Sequence, residues 1–262
     1  MFDSVRGHTI IGPLLGSAPT VLDLGANHGV FSKVMSERFG GTYYMAEANP
    51  ALASALANEK PFHAWHCAVA AEEGTVEFHL ATHDDCSSVL PLSGSGNGVA
   101  LSSERVTVAA RSLESLLVEM HASRVDLIKM DIEGMEAPVL MSLSTESLQK
   151  IGQITVEFHC DERFGLNIRS EVQQSIRYLR DNGFLFLNFS GTTLMDVLFV
   201  NRRLHGIPYW KGRVWELAGV RPPWLRTIRK FVPENLRLRL NQSLDRIAGR
   251  KRDAEPPDRN RR

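Results

Sequence analysis

Two stretches in the second half of the chain hold the residues best suited to moving a proton. In VDLIKMDIEGME, Asp131, Glu133 and Glu136 follow the apolar run Val125–Met130. Asp131 and Glu133 lie two apart, so extended backbone turns both to one side. Either could take a proton from a hydroxyl, orient that hydroxyl, or contribute to a divalent-metal site, though the sequence adds nothing further for a metal. In QITVEFH, Glu157 and His159 are likewise two apart, behind Ile154, Val156 and Phe158. His159 has an ordinary pKa near neutrality and is the preferred base candidate. The bland alternative has Asp131 capping a turn, the glutamates solvated or bonded to backbone, and His159 bonded to backbone. Lys129, inside the apolar run, needs a carboxylate partner and reads as a structural ion pair.

Nearer the N-terminus, VLDLGANHGVFS places Asp23-x-Gly25-x-Asn27-x-Gly29 between an apolar run and a helical pattern. Glycines there permit a tight turn and a close ligand approach, and the loop feeds a helix N-terminus. Glu47 ends the next apolar run, 24 residues after Asp23, where an acid can accept hydrogen bonds from a ribose diol. The loop reads G-A-N-H-G and lacks the middle glycine of a dinucleotide fingerprint. Asp23 would also set a negative charge beside a pyrophosphate. A nucleoside ligand with an amino-acid end, whose ammonium an acid can help hold, fits better: S-adenosylmethionine rather than NAD.

These residues need elements to place them. Thr20–Leu24, Thr42–Glu47, His63–Ala70, Val125–Met130 and Gln153–Phe158 read as strands, with helical patterns after most of them. Asn49-Pro50 opens an alanine-rich helix over 51–58, and another helix over 168–182 stops at Gly183. Strand–helix alternation predicts an α/β fold with a doubly wound, mostly parallel sheet of seven strands. Phe184–Phe189 and Val197–Asn201 have no helix between them and predict an antiparallel pair. That is the architecture of Rossmann-like class I methyltransferases, whose ligands sit beyond the strands' carboxyl ends. Thr75–Ala81 and Arg105–Ala109 predict a β insert over about 75–110, with a Ser-, Gly- and Asp-rich hairpin or lid over 82–103. Asp84 and Asp85 read as loop residues. His63, His66 and Cys67 lack a second pair at zinc spacing and read as structural.

The 262 residues divide unevenly in charge. From Arg221 onward there are 13 Lys and Arg against 5 Asp and Glu, leaving a mildly acidic body of 17 against 25. The expected organisation is a catalytic domain over 1–220, basic amphipathic helices over 221–249 and a disordered tail over 250–262. Those helices could dock on the domain, meet another protein, or lie on an anionic membrane surface. Basic residues confined to the tail argue against nucleic acid as partner. Three scattered cysteines, no signal-peptide pattern and no apolar run approaching ~20 residues make the cytoplasm the expected compartment, with peripheral attachment at the inner membrane surface as a variant.

With these stretches in hand, the chain resembles the FkbM family of methyltransferases. The resemblance rests on VLDLGANHGVFS, AEANP, Ser87-Ser88, the Glu157-x-His159 strand and above all DLIKMDIEGMEAPVL, and spans roughly residues 20 to 200. It implies S-adenosylmethionine as methyl donor and a small-molecule or glycan acceptor, most often a sugar hydroxyl. It also implies that Asp23, Gly25, Asn27 and Gly29 shape the methionine side of the pocket. Glu47 would hold the ribose, Asn49 and Pro50 would shape the adjoining turn, and a loop near Ala68 would approach the adenine. Ser87 and Ser88 would line the acceptor side. MDIEG after the fourth strand replaces the N/D-P-P-Y/F loop that clamps planar amines, so nucleobase methylation is not expected. The alternatives are an N- or carboxyl-methyltransferase, or an inactive domain of this type serving as a scaffold.

Overall fold

The computed structural model describes residues 2–81, 101–160 and 167–219. Its centre is a seven-stranded sheet of β3 (Thr20–Leu24), β4 (Thr42–Glu47), β5 (His63–His66), β9 (Val125–Met130), β10 (Ile151–Val156), β11 (Phe184–Asn188) and β12 (Val197–Asn201), in the order β11-β12-β10-β9-β3-β4-β5. Counted among themselves in chain order, these strands run 3-2-1-4-5-7-6 from the β5 edge. Only β12 is antiparallel to its neighbours, pairing with β10 on one side and β11 on the other.

Composition explains the central strands. β9 and β10 lie inside the sheet and are covered on both faces, so they are apolar along almost their whole length. Among the buried exceptions, Gln153 has a structural task. Gln153 accepts from Ile11 N at 2.9 Å and donates to Ile11 O at 3.2 Å. It thereby fastens an N-terminal hairpin, β1 (Asp3–Val5) and β2 (His8–Ile10), against the sheet. The described helices are α1 (Val30–Phe39), α2 (Pro50–Ala57), α3 (Leu113–Glu119), α4 (Glu136–Ser142), α5 (Thr145–Lys150), α6 (Arg169–Asp181) and α7 (Tyr209–Gly219). α2 starts where it does because Asn49 accepts from Ala51 N and Leu52 N, with Pro50 in the first turn.

One expected strand is two. The stretch 63–70 breaks at Cys67, whose N–H donates to Glu47 O. β5 ends the central sheet, while β6 (Ala68–Ala70) enters a separate three-stranded sheet with β7 (Gly74–Ala81) and β8 (Leu101–Ser112). The β insert is therefore present as an antiparallel β7–β8 pair. Of the expected lid over 82–103, residues 101–103 belong to β8 and 82–100 lie outside the described residues, as do the basic helices over 221–249 and the tail over 250–262. Among the described residues no helix is long and apolar enough to cross a membrane.

Candidate active site

The site grows from the carboxyl ends of β3, β4, β9 and β10. Backbone hydrogen bonds carry the sheet one residue past these strands: Asp131 N donates to Leu24 O, Glu157 N to Met130 O, and Gly25 N and Ala26 N to Ala46 O. The glycine loop and the two acidic stretches are thus locked side by side. Gly25 has φ +72°, and a Cβ there would run into the carbonyl of Asp131, well inside the 3.0 Å that real Cβ atoms keep. The close approach that requires this glycine is to the chain's own backbone. Gly29, at φ +69°, yields in the same way to Leu56 and Met45.

Asp23 is fully buried and serves the interior. It accepts from Ser32 Oγ at 2.8 Å and pairs with Lys129 Nζ at 3.3 Å. The ammonium it holds belongs to Lys129, not to a ligand, so its effect on the pocket is through the strand behind it. Lys129 also donates to Gly25 O at 2.6 Å and lies 3.6 Å from Asp131. Burial opposes its charge, but Asp23 and Asp131 outweigh burial and hold its pKa above the ordinary lysine value. The expected structural ion pair is present.

Glu47 is buried at the end of β4, and burial pushes its pKa up. One carboxylate oxygen accepts from Asn49 N at 2.8 Å and the other from Asn27 N at 2.7 Å. Those bonds fix the carboxylate's direction and leave a lone pair on each oxygen, as a diol acceptor requires. The donor set therefore fits the ribose of S-adenosylmethionine. Asn27 holds the loop with φ +52°, and its Oδ1 accepts from His28 N. The Asn49 side chain caps α2 and so shapes the turn. Ala68 does not stand in a loop: it begins β6 and packs against Phe78 and Val108. Ser87 and Ser88 lie outside the described residues.

The acidic stretches converge on one imidazole. His159 Nδ1 is 2.9 Å from Glu136, while Nε2 is 3.3 Å from Glu133, 3.7 Å from Asp131 and 3.9 Å from Glu157. Glu136, fully buried, accepts from Ile132 N and Gly134 N and so organises the whole Asp131–Glu136 turn. Glu133 sits in that turn at φ +54°, a conformation that aims its side chain back at His159. Burial pulls His159 towards the neutral form, but Glu136, Glu133 and Asp131 reverse this and raise its pKa to about 10. Burial lifts Glu133 to about 8 and, with Asp131 adding, Glu157 to about 7. Burial would raise Asp131 too, but Lys129, His159 and His8 hold it below the usual carboxylate range.

This corrects the reading of His159 as the base. Its side chain is only 4% exposed, both ring nitrogens face carboxylates, and at neutral pH it is already a cation. Asp131, Glu133 and Glu157, at 30%, 18% and 25%, are the members that reach the surface. Sequence reasoning also missed His8, which the hairpin inserts edge-on against Phe31, with Nε2 4.0 Å from Asp131. Its only signal was a histidine beside the turn glycine of a three-residue strand pair.

A seven-stranded sheet in this order, with one antiparallel strand next to the edge and a glycine loop facing an acid-lined end, defines a class I methyltransferase fold. The FkbM methyltransferase domain matches residues 23–186, more than half of the chain, which includes the glycine loop, Glu47 and both acidic stretches. The chain belongs to the FkbM methyltransferase family. No curated protein matches the chain. Two solved structures are distant likenesses. A protein put forward as the sarcosine dimethylglycine methyltransferase of Galdieria sulphuraria is 12% identical at a TM-score of 0.34, covering 68% of this chain and 57% of its own. A chain from the complex of the Haloferax volcanii Trm112 methyltransferase activator with its candidate methyltransferase is 11% identical at 0.35, covering 72% and 86%. This chain thus spans little more than half the length of the first.

Proposed function

We propose that this chain is an S-adenosylmethionine-dependent methyltransferase that acts on a hydroxyl group, with a sugar in a glycan or natural product as the acceptor. The observation that carries the reading is the convergence of Asp131, Glu133, Glu157 and His159 at the strand ends abutting the glycine loop. Methyl transfer from a sulfonium needs the acceptor oxygen aligned with the methyl group, and a hydroxyl must also lose its proton. Glu47 and the Asn27 loop orient the donor. Glu157, a quarter exposed at the end of β10, is placed to take the proton, and the buried His159 and Glu136 hold the surrounding acids in place. S-Adenosylmethionine supplies the methyl group; the chain supplies alignment and the proton acceptor.

Calorimetric titration with S-adenosylmethionine and S-adenosylhomocysteine tests the donor end, with Glu47→Gln expected to weaken both. Radiolabelled methyl transfer to a panel of glycans, amines and carboxylates tests the acceptor end. Glu157→Gln is expected to cost ~10²–10⁴-fold in rate with donor affinity unchanged. Transfer to an amine or carboxylate but to no hydroxyl would overturn the proposal, and undiminished turnover in Glu157→Gln would overturn the assignment of the base.

A further inference from the structure

Asp131, Glu133, Glu136 and Glu157 all stand within 3.9 Å of one imidazole ring. Lys129, 3.6 Å from Asp131, is shared with the fully buried Asp23. Carboxylates from two strand ends thus meet at one centre.

The orientation of His159 says where that centre is. Glu136, fixed by the amides of Ile132 and Gly134, takes the Nδ1 side of the ring. Nε2 is left pointing among three carboxylates. A histidine anchored through one nitrogen by a buried carboxylate, with the other nitrogen presented to acid groups, is the usual second-shell arrangement of a metal-binding histidine. One ligand atom each from Asp131, Glu133 and His159 lie within 4.8 Å of one another, and so do those of His8, Asp131 and Glu157.

His8 is an independent sign. It is 2% exposed, and its Nδ1 has no hydrogen-bond partner. Its Nε2 looks at Asp131 Oδ2 from 4.0 Å, too far for a hydrogen bond. A buried imidazole with Nδ1 unsatisfied and Nε2 facing an acid cluster is poorly explained as packing alone.

We propose that Asp131, Glu133 and His159 bind a divalent cation that displaces the proton from His159 Nε2, with His8 the further donor on the opposite side of Asp131. Oxygen donors mixed with imidazole suit a cation of the Mn²⁺ type better than a thiolate-seeking metal. The inference rests on reading this cluster as the acceptor end of the site. There the cation would polarise the acceptor hydroxyl and ease its deprotonation, leaving Glu157 to carry the proton away.

The test is an EPR titration of Mn²⁺ against the purified full-length chain, since the sharp solution signal of Mn²⁺ fades on binding. Binding of S-adenosylhomocysteine, followed calorimetrically, reports separately on folding and on the donor site. The wild type should remove the Mn²⁺ signal at one ion per chain. Asp131→Asn and Glu133→Gln, which keep size and shape, should each weaken this about tenfold or more while still binding S-adenosylhomocysteine. Mn²⁺ left free by the wild type, with and without S-adenosylhomocysteine, overturns the proposal, as does equal Mn²⁺ affinity in both variants. Mn²⁺ bound without any S-adenosylhomocysteine binding supports the metal centre and counts against the donor site alone.

Discussion

Replacing Gly25 by alanine tests the join between the glycine loop and the acid stretch, and Gly16 provides the control. Both glycines have nearly the same backbone, φ +72° and +77°, but nothing lies within 4 Å of a Cβ on Gly16. Gly16→Ala should therefore cost only the left-handed backbone penalty, roughly 1–2 kcal/mol. For a domain of this size that is a fall in Tm of roughly 2–8 °C. Gly25→Ala carries the same penalty and also drives a methyl group into the carbonyl of Asp131. To relieve the clash the loop must move off Asp131. That movement strains the bond from Asp131 N to Leu24 O at 3.2 Å and the 2.6 Å bond from Lys129 to Gly25 O. Buried bonds of this kind, one of them charged, are worth about 1–3 kcal/mol each when a partner is left unsatisfied. The expected total is ~3–8 kcal/mol, and a misalignment of about 1 Å between donor and acid cluster should cost ~10²-fold in turnover. Thermal unfolding by circular dichroism, donor affinity by calorimetry and single-turnover methyl transfer read the three effects. If Gly25→Ala and Gly16→Ala match in all three, Gly25 and Asp131 are not packed as described.

Other consequences follow from the interior. Lys129→Met leaves the buried Asp23 without its cation and should destabilise by ~3–5 kcal/mol in urea unfolding; adding Asp23→Asn should recover part of that loss, whereas a pair without energetic coupling would give additive costs. Gln153→Met removes the only side chain bonding both Ile11 N and Ile11 O among the described residues. It should cost ~1–3 kcal/mol and speed amide hydrogen exchange across β1 and β2, with unchanged exchange there refuting the fastening role. Cys67 is buried, and burial lifts its thiol to about 11, so almost no thiolate exists at neutral pH. Its peptide should stay unalkylated by iodoacetamide until the chain unfolds; rapid labelling in the native state, read by mass spectrometry, would contradict the burial.

The central sheet was legible because its strands announce themselves locally. VDLIKM and the run ending in Val156 are apolar on both faces, and helical patterns separate most of them. The donor loop was legible for the same reason, since both glycines and Glu47 stand at fixed distances from strand ends. What escaped was whatever depends on partners far along the chain. The hairpin of β1 and β2 has three-residue strands, and the glutamine that fastens it lies 142 residues away. The break between β5 and β6 comes from a bond to Glu47 O, not from any breaker residue. His159 read as the base because an ordinary imidazole titrates near neutrality. The carboxylates that charge it, Glu136, Glu133 and Asp131, arrive from a different strand end, 23 to 28 positions earlier.

The same crossover sets the glycine loop and the acid cluster side by side. β9 lies beside β3, and the register sets Lys129 opposite Asp23. Asp23 on β3 supports the glycine loop, Lys129 answers its charge and reaches Gly25 O, and Asp131, two residues on, faces His8 and His159. The line Asp23–Lys129–Asp131 therefore crosses from beneath the glycine loop to the acid cluster in a single row of alternating charge. A perturbation at either end must pass through Lys129. If that row couples the ends, Lys129→Met, besides its loss of stability, should weaken S-adenosylhomocysteine and Mn²⁺ binding together. A variant that lost one and kept the other at full strength would show the two ends to be independent neighbours.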